Sequence, residues 1–306
     1  MDYELAIIGA GPAGYSAGIY AVRAGIKTVI FDRGDGGGRA VLSPKIENYA
    51  GLESISGLDL MEKMKQHASK YVDIHFFEEA KKIERSGDKF TVETAKGKYI
   101  VGAILFCTGT EHKTLDIPGE KEFQGKGVSY CATCDGFFFK GKKVAVIGGG
   151  NTAIMEAIFL KQIGCKEVTL VHRRDQLKAE KIYQDEAREK HVQILLNKIV
   201  EKINGKEVIT SLNLIDVVSN KKSVLDVDGV FICVGETPQN DLAKQLKIKL
   251  DEQGYVVVDR QQRTDVKGVY AAGDITGGLR QVVTACAEGA IAALSSTEAL
   301  GKKYPY

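Results

Sequence analysis

The sequence predicts an α/β protein made of two domains of one design. Two observations carry this. A pattern of apolar strand, glycine-rich turn, helix and second strand occurs twice, opening at Leu5 and again at Val144. In both copies the second strand ends 23 residues after the first glycine, counted from Gly9 to Asp32 and from Gly148 to Val171. A length of 306 residues suits two cores of ordinary size. Each copy is expected as a three-layer Rossmann-like domain, the fold that binds dinucleotides.

The first copy runs Leu5–Ile8, a continuous apolar stretch that fits a strand buried on both faces. Gly9-Ala10-Gly11-Pro12-Ala13-Gly14 follows and matches G-x-G-x-x-G. A helix is expected from about Ala13 to Ala24, capped by Gly25, then a strand Lys27–Phe31 ending at Asp32. An acid at that point can bond a ribose hydroxyl.

The second copy runs Val144–Ile147, then Gly148-Gly149-Gly150-Asn151-Thr152-Ala153, a G-x-G-x-x-A. A helix to about Ile163, capped by Gly164, leads to the strand Val168–Val171. The acid is missing here, and His172-Arg173-Arg174 stands in its place. A carboxylate repels a 2′-phosphate, whereas guanidinium groups hold one with charge-assisted bonds. The second copy therefore reads as an NADP site and the first as a site for the ADP moiety of another dinucleotide. For Arg173 and Arg174 alone, a solvated helix start is the competing reading. In each copy the pyrophosphate is expected on a helix N-terminus, whose N–H groups are free.

Between the copies lies Tyr130-Cys131-Ala132-Thr133-Cys134-Asp135-Gly136. The C-x-x-C spacing permits a short-loop disulfide and lowers one thiol pKa. A structural zinc needs four ligands, and neither a second C-x-x-C nor an H-x-x-x-H is present, so no metal is expected. Asp135 suits a general acid beside the cysteines, and equally a helix N-cap. Asp274 closes the strand-like Gly268–Gly273, where open α/β sheets bind ligands; a turn-forming Asp is the alternative.

Composition narrows the function classes. Hydrophobic residues make up 44% and charged residues 27%, which is ordinary for a globular protein. A net charge of +2 argues against nucleic acid as a partner. Lys121, Lys126, Lys140, Lys142 and Lys143 form either a solvated rim or a docking patch for an acidic protein. Of the six cysteines, Cys107, Cys165 and Cys233 lie in or beside apolar runs and are expected as small buried hydrophobes. No run reaches the ~20 apolar residues needed to cross a bilayer. The chain opens into a strand without a basic leader, so no membrane and a reducing cytoplasm are expected.

Taken together, the chain resembles the low-molecular-weight thioredoxin reductases of bacteria and archaea. The match includes both glycine turns, Gly37-Gly38, Glu47–Gly51, the Cys131–Gly136 segment, His172–Asp175, and Gly273-Asp274 with Arg280-Gln281. The resemblance implies a discontinuous FAD domain, 1–114 and 247–306, holding an inserted NADPH domain, 115–246, with short two-stranded links. It implies FAD contacts from Gly9, Gly11, Pro12, Ala13, Gly14, Asp32, Gly38, Asn48, Asp274, Arg280 and Gln281. NADPH contacts would come from Gly148, Gly150, Asn151, Thr152, Ala153, His172, Arg173, Arg174 and Lys178.

Catalysis would rest on Cys134 toward the flavin, Cys131 toward thioredoxin or a similar small dithiol protein, and Asp135 for the proton. The resemblance also implies a homodimer, a domain rotation about the links, and a thioredoxin grip from Lys126, Phe137 and Phe138.

Three positions depart from the family pattern. Arg39-Ala40 follows Gly37-Gly38 where Gln-Leu is usual. Met155 replaces an acid, and Lys178 replaces a third arginine, offering charge without a bidentate fork. These keep a second hypothesis open, with NADH, a deazaflavin or ferredoxin as donor, or a glutaredoxin-like or peroxiredoxin acceptor. A flavoprotein subunit without turnover is a third, which the complete C-x-x-C disfavours.

Overall fold

The computed structural model describes residues 1–43 and 45–304. The chain divides into two units, 1–111 with 237–306, and 112–236. The first unit opens with β1 (Tyr3–Ile8), α1 (Pro12–Arg23) and β2 (Thr28–Phe31). Next come α2 (Gly57–Ala68), β3 (Asp73–His75), β4 (Ala80–Ser86), β5 (Lys89–Thr94) and β6 (Lys98–Phe106). The chain leaves through β7 (Thr110–His112).

The second unit contains β8 (Val128–Ser129), α3 (Ala132–Asp135), β9 (Lys143–Gly148), α4 (Asn151–Gln162) and β10 (Glu167–Val171). It continues with α5 (Lys181–Glu189), β11 (Gln193–Leu195), β12 (Lys198–Gly205), β13 (Ile209–Asp216), β14 (Lys222–Asp226) and β15 (Gly229–Cys233). The return passes through β16 (Glu236–Pro238), which pairs with β7 in a two-stranded ribbon. The first unit is completed by α6 (Asp241–Gln245), β17 (Val269–Ala271) and α7 (Val282–Ala299).

The sheet of the first unit has the order β3-β2-β1-β6-β5-β4, with β17 also on β6. β1, β2, β3, β6 and β17 run parallel, and β4-β5-β6 is antiparallel. Leu5–Ile8 and Ile104–Phe106 are buried on both faces, which is why their sequence is continuously apolar. One face packs Leu5, Ile7, Ile30 and Leu105 against α1 and α7. The other packs Ala6, Val29, Ile104 and Phe106 with Ile83, Phe90 and Val92. α7 lies close against α1 because Gly289 presents no Cβ to the backbone of Ala13.

The sheet of the second unit has the order β11-β10-β9-β15-β8, all parallel. α4 buries Ala153, Ile154, Ala157 and Leu160 on one face. On the other face lies an antiparallel sheet, β12-β13-β14, whose Val200, Ile203, Leu212 and Leu214 meet Ala145 and Ile147.

The return crossing falls between Glu236 and Thr237 rather than near Lys247. The reason is α6: Ala243 is buried in the core of β4, and Gln245 Oε1 accepts from Ile83 N–H at 2.9 Å. Gln239 N–H likewise donates to Gly109 O at 3.0 Å. No described helix is long and apolar enough to cross a membrane.

Two glycine cradles and a redox pair

The turn after β1 stands at the carboxyl edge of its sheet. Gly9 has φ +109°, and a Cβ there would strike the carbonyl of Cys107. A Cβ on Gly14 would strike the carbonyl of Gly9, so the helix can follow the strand this closely only with glycine. Gly11 is the N-cap of α1 without a side-chain cap bond, and Pro12 and Ala13 begin the helix. The N–H groups of that first turn are thus available to a ligand.

Gly38 lies opposite Gly11: an ideal Cβ on Gly38 would stand 3.5 Å from the Gly11 α-carbon. A side chain at either position would fill the cleft over the helix end, so the geometry fits a pyrophosphate. Asp32 directly follows β2. Its Oδ2 accepts from Ala10 N–H at 2.7 Å and its Oδ1 from Gly34 N–H at 2.8 Å, so the carboxylate also ties the two loops of the cradle.

The remaining first-unit candidates gather around the same edge. Asn48 Nδ2 donates to Gln281 Oε1 at 3.0 Å, and Gln281 is the N-cap of α7 in a capping box with Thr284. Arg280 Nη1 donates to the Tyr255 hydroxyl at 3.1 Å. Asp274 opens a 3-10 turn just past β17 and lies 3.7 Å from the Arg39 guanidinium. Burial pushes the Asp274 carboxyl above its ordinary value, against the opposing pull of Arg39. Glu288 on α7 accepts from Gly273 N–H at 2.7 Å and so holds that turn; nothing in the sequence pattern singled it out.

In the second unit Gly148 ends β9, and a Cβ there would meet the Cys233 carbonyl and Ala153. Gly150 is the N-cap of α4, again without a side-chain cap bond, with open space around it. Asn151, Thr152 and Ala153 form the first helical turn. Asn151 exchanges two hydrogen bonds with Glu180, at 2.7 and 2.8 Å.

His172 follows β10 and is buried, its ring lying where a Cβ on Gly149 would fall. Its Nε2 is buried and has no hydrogen-bond partner among the described residues. Burial holds the imidazole below its ordinary pKa, and Arg174 and Arg173 push it the same way. Arg173, Arg174 and Lys178 are exposed on the loop that follows, and Lys178 N–H donates to Gly149 O at 2.7 Å. Three cations therefore ride on a loop pinned to the glycine turn.

Cys131 and Cys134 are joined as a disulfide, with α-carbons 5.3 Å apart. The pair follows β8, at the same carboxyl edge as the β9 turn and two strands away, on the order of 10 Å. Cys131 is the N-cap of α3, and its Sγ lies 3.3 Å from Thr133 Oγ1. Asp135 ends α3 and is the N-cap residue of the 3-10 turn that follows, without a side-chain cap bond to it. Its Oδ2 instead accepts from the Ser129 hydroxyl at 2.6 Å. Gly136 seats the segment on α4 beside Leu160 and Ile163.

Of the three phenylalanines, Phe137 is 63% exposed while Phe139 packs edge-on against Phe231. Tyr130 stacks on His112 at 4.5 Å and donates to the buried Glu120 at 2.8 Å. Cys107 and Cys165 are buried as expected. Cys233 is half-buried and differs from the expected inert hydrophobe, because its thiol donates to Glu156 Oε2 at 2.6 Å. Burial and that carboxylate hold the thiol well above its ordinary pKa. Among the described residues no cluster of His, Cys, Asp or Glu is arranged for a metal ion.

Two dinucleotide cradles and a C-x-x-C disulfide define a pyridine-nucleotide-linked disulfide oxidoreductase. Residues 3–289 match the pyridine nucleotide-disulphide oxidoreductase family, and the chain belongs to that family. Within it the chain groups with the low-molecular-weight thioredoxin reductases. It is 43% identical to the thioredoxin reductase of Listeria innocua, over 95% of this chain and 91% of that one. It is 41% identical to that of Bacillus subtilis, over 96% and 93%. Among solved structures, the thioredoxin reductase of Streptococcus pyogenes superposes with a TM-score of 0.93 at 38% identity, covering 98% of each chain. That of Giardia duodenalis gives 0.92 at 32% identity, covering 98% and 99%.

Proposed function

We propose that this oxidoreductase reduces the disulfide of thioredoxin, or of a thioredoxin-like small dithiol protein, with electrons from NADPH. The observation that carries the reading is the Cys131–Cys134 disulfide standing at the same sheet edge as the β9–α4 cradle. Unit 1–111 with 237–306 holds FAD, and unit 112–236 holds the nicotinamide nucleotide. FAD supplies the two-electron centre between nucleotide and disulfide.

In the first unit Gly9, Gly11, Pro12, Ala13 and Gly14 admit the pyrophosphate at the start of α1. Asp32 takes the ribose end, and Gly38, Asn48, Asp274, Arg280 and Gln281 line the remainder. In the second unit Gly148, Gly150, Asn151, Thr152 and Ala153 receive the nucleotide pyrophosphate. Arg173, Arg174 and Lys178 face the 2′-phosphate, and His172 braces the turn beneath them.

Acceptor chemistry belongs to the cysteines. With the pair reduced, the Cys131 thiolate attacks one sulfur of the partner disulfide and expels the other as thiolate, giving a mixed disulfide. The Cys134 thiolate then attacks Cys131 Sγ, releases the second partner thiolate and restores the Cys131–Cys134 bond. Two electrons leave the pair for the partner, and two protons complete the partner dithiol. Asp135 is placed to deliver one of them. Lys126, Phe137 and Phe138 grip the partner. The working form is a cytoplasmic homodimer built through the first unit.

A second reading, in which NADH, a reduced deazaflavin or ferredoxin is the donor, has only Lys178 in place of a third arginine in its support, while Arg173 and Arg174 stand against it. Anaerobic bleaching of the bound flavin with the four donors in parallel separates the two. NADPH bleaches fastest if the first reading holds; any other order selects the second.

A further inference from the structure

We propose that Arg39 tunes the redox balance of the first unit. Its guanidinium, fixed at the far end of the first cradle, favours the more negatively charged, reduced form of the group held there. This rests on the reading that the first unit holds FAD.

The sheet sets the direction of the cradle. Along the carboxyl edge the strands run β2, β1, β6, β17. Asp32 follows β2, the glycine turn follows β1, and Asp274 follows β17. From Asp32 to Asp274 is three strand spacings, roughly 15 Å. With the adenosine ribose at Asp32 and the pyrophosphate between Gly11 and Gly38, the redox half extends toward Asp274.

Arg39 stands at that end. It follows Gly36, Gly37 and Gly38, all at positive φ, and Gly37 N–H donates to Ala10 O at 2.7 Å, pinning the loop to the cradle. The side chain is 27% exposed, bonds Thr110 Oγ1 and lies 3.7 Å from Asp274. Charged or titratable groups near it include Tyr255, which interacts with Arg39 and accepts a hydrogen bond from Arg280, and Glu288, which accepts from Gly273 N–H.

A cation held in a site screened from water acts strongly on nearby charge. Gaining electrons adds negative charge, so a fixed guanidinium shifts the balance toward reduction. A glutamine at this position would carry no charge and would remove the effect.

The test is an anaerobic potentiometric titration of the flavin-loaded wild type, Arg39→Lys and Arg39→Gln. At a fixed potential, Arg39→Gln is expected to show a reduced-to-oxidised ratio about tenfold lower, a shift of about 30 mV to more negative for a two-electron couple. Arg39→Lys stays within about threefold of wild type, since it retains the charge. An unchanged midpoint in Arg39→Gln overturns the proposal while leaving the FAD reading intact.

If Arg39→Gln loses flavin on purification, its affinity for added oxidised and reduced FAD is measured instead. A greater loss for reduced FAD supports the proposal, and equal losses overturn it. A wild type that takes up no FAD overturns the reading and the proposal together.

Discussion

The Ser129 hydroxyl donates to Asp135 Oδ2 at 2.6 Å and accepts from Cys131 N–H at 3.1 Å, so one side chain spans the redox turn. It joins the end of β8 to both the first cysteine and the candidate proton donor. Ser129→Ala removes both bonds and leaves Asp135 less well placed. Disulfide reduction is expected to fall about tenfold, ~1.4 kcal/mol in barrier, with flavin content unchanged. Steady-state turnover with thioredoxin, beside the flavin absorbance, checks this.

Arg173→Ala removes one of the three cations on the loop after β10. A charge-assisted hydrogen bond contributes about 1.5–3 kcal/mol, so KM for NADPH should rise roughly ten- to a hundredfold. KM for NADH should change less than about twofold. Parallel titration with the two nucleotides decides, and equal rises would remove 2′-phosphate recognition from this loop.

Gly149→Ala places a methyl group where the His172 ring lies. His172 is held on both sides of its backbone, its N–H donating to Leu195 O and its O accepting from Lys198 N–H, both at 2.9 Å, while Gly149 O accepts from Lys178 and Ala179 N–H. Nicotinamide nucleotide binding should weaken at least tenfold while the first unit keeps its FAD. Fluorescence titration of the flavin-loaded variant measures this, and wild-type affinity would place His172 elsewhere.

Glu78 is buried, and burial alone would raise its pKa. Hydrogen bonds from Thr94, Tyr99 and Lys96 outweigh this, helped by the His75 charge, and hold it down to about 2. A carboxyl depressed in the folded state contributes stability above its unfolded pKa of about 4.3 and loses it as pH falls toward about 2. Wild type should therefore lose stability between those values, and Glu78→Gln should be less stable at neutral pH yet flatter below pH 4.5. Urea denaturation at pH 7, 4.5 and 3 reads the difference.

Both nucleotide units were legible because their strands are buried on two faces and their turns demand glycine. Leu5–Ile8 and Val144–Ile147 could hardly be read otherwise, and each helix and strand end fell within two residues of expectation. The antiparallel strands were not foreseen. Their signal is a short alternation, as in Lys89–Thr94, where Phe90 and Val92 point into the core between charged and polar neighbours. β12 obscures the same signal with irregular pairing after Val200 and Asn204.

The crossing at Glu236 was missed because α6 is only five residues long and joins the first unit through Ala243 and Gln245. Ser129 with Asp135, Asn151 with Glu180, and Cys233 with Glu156 depend on how separate elements meet, which no spacing in the chain announces.

In the proposed function Cys131 and Cys134 carry electrons between the flavin and the partner disulfide. Cys134→Ser tests it most directly, by anaerobic flavin reduction with NADPH followed by turnover with oxidised thioredoxin. The flavin is expected to bind and bleach normally, and turnover to fall at least a thousandfold. Retained turnover in that variant would contradict it.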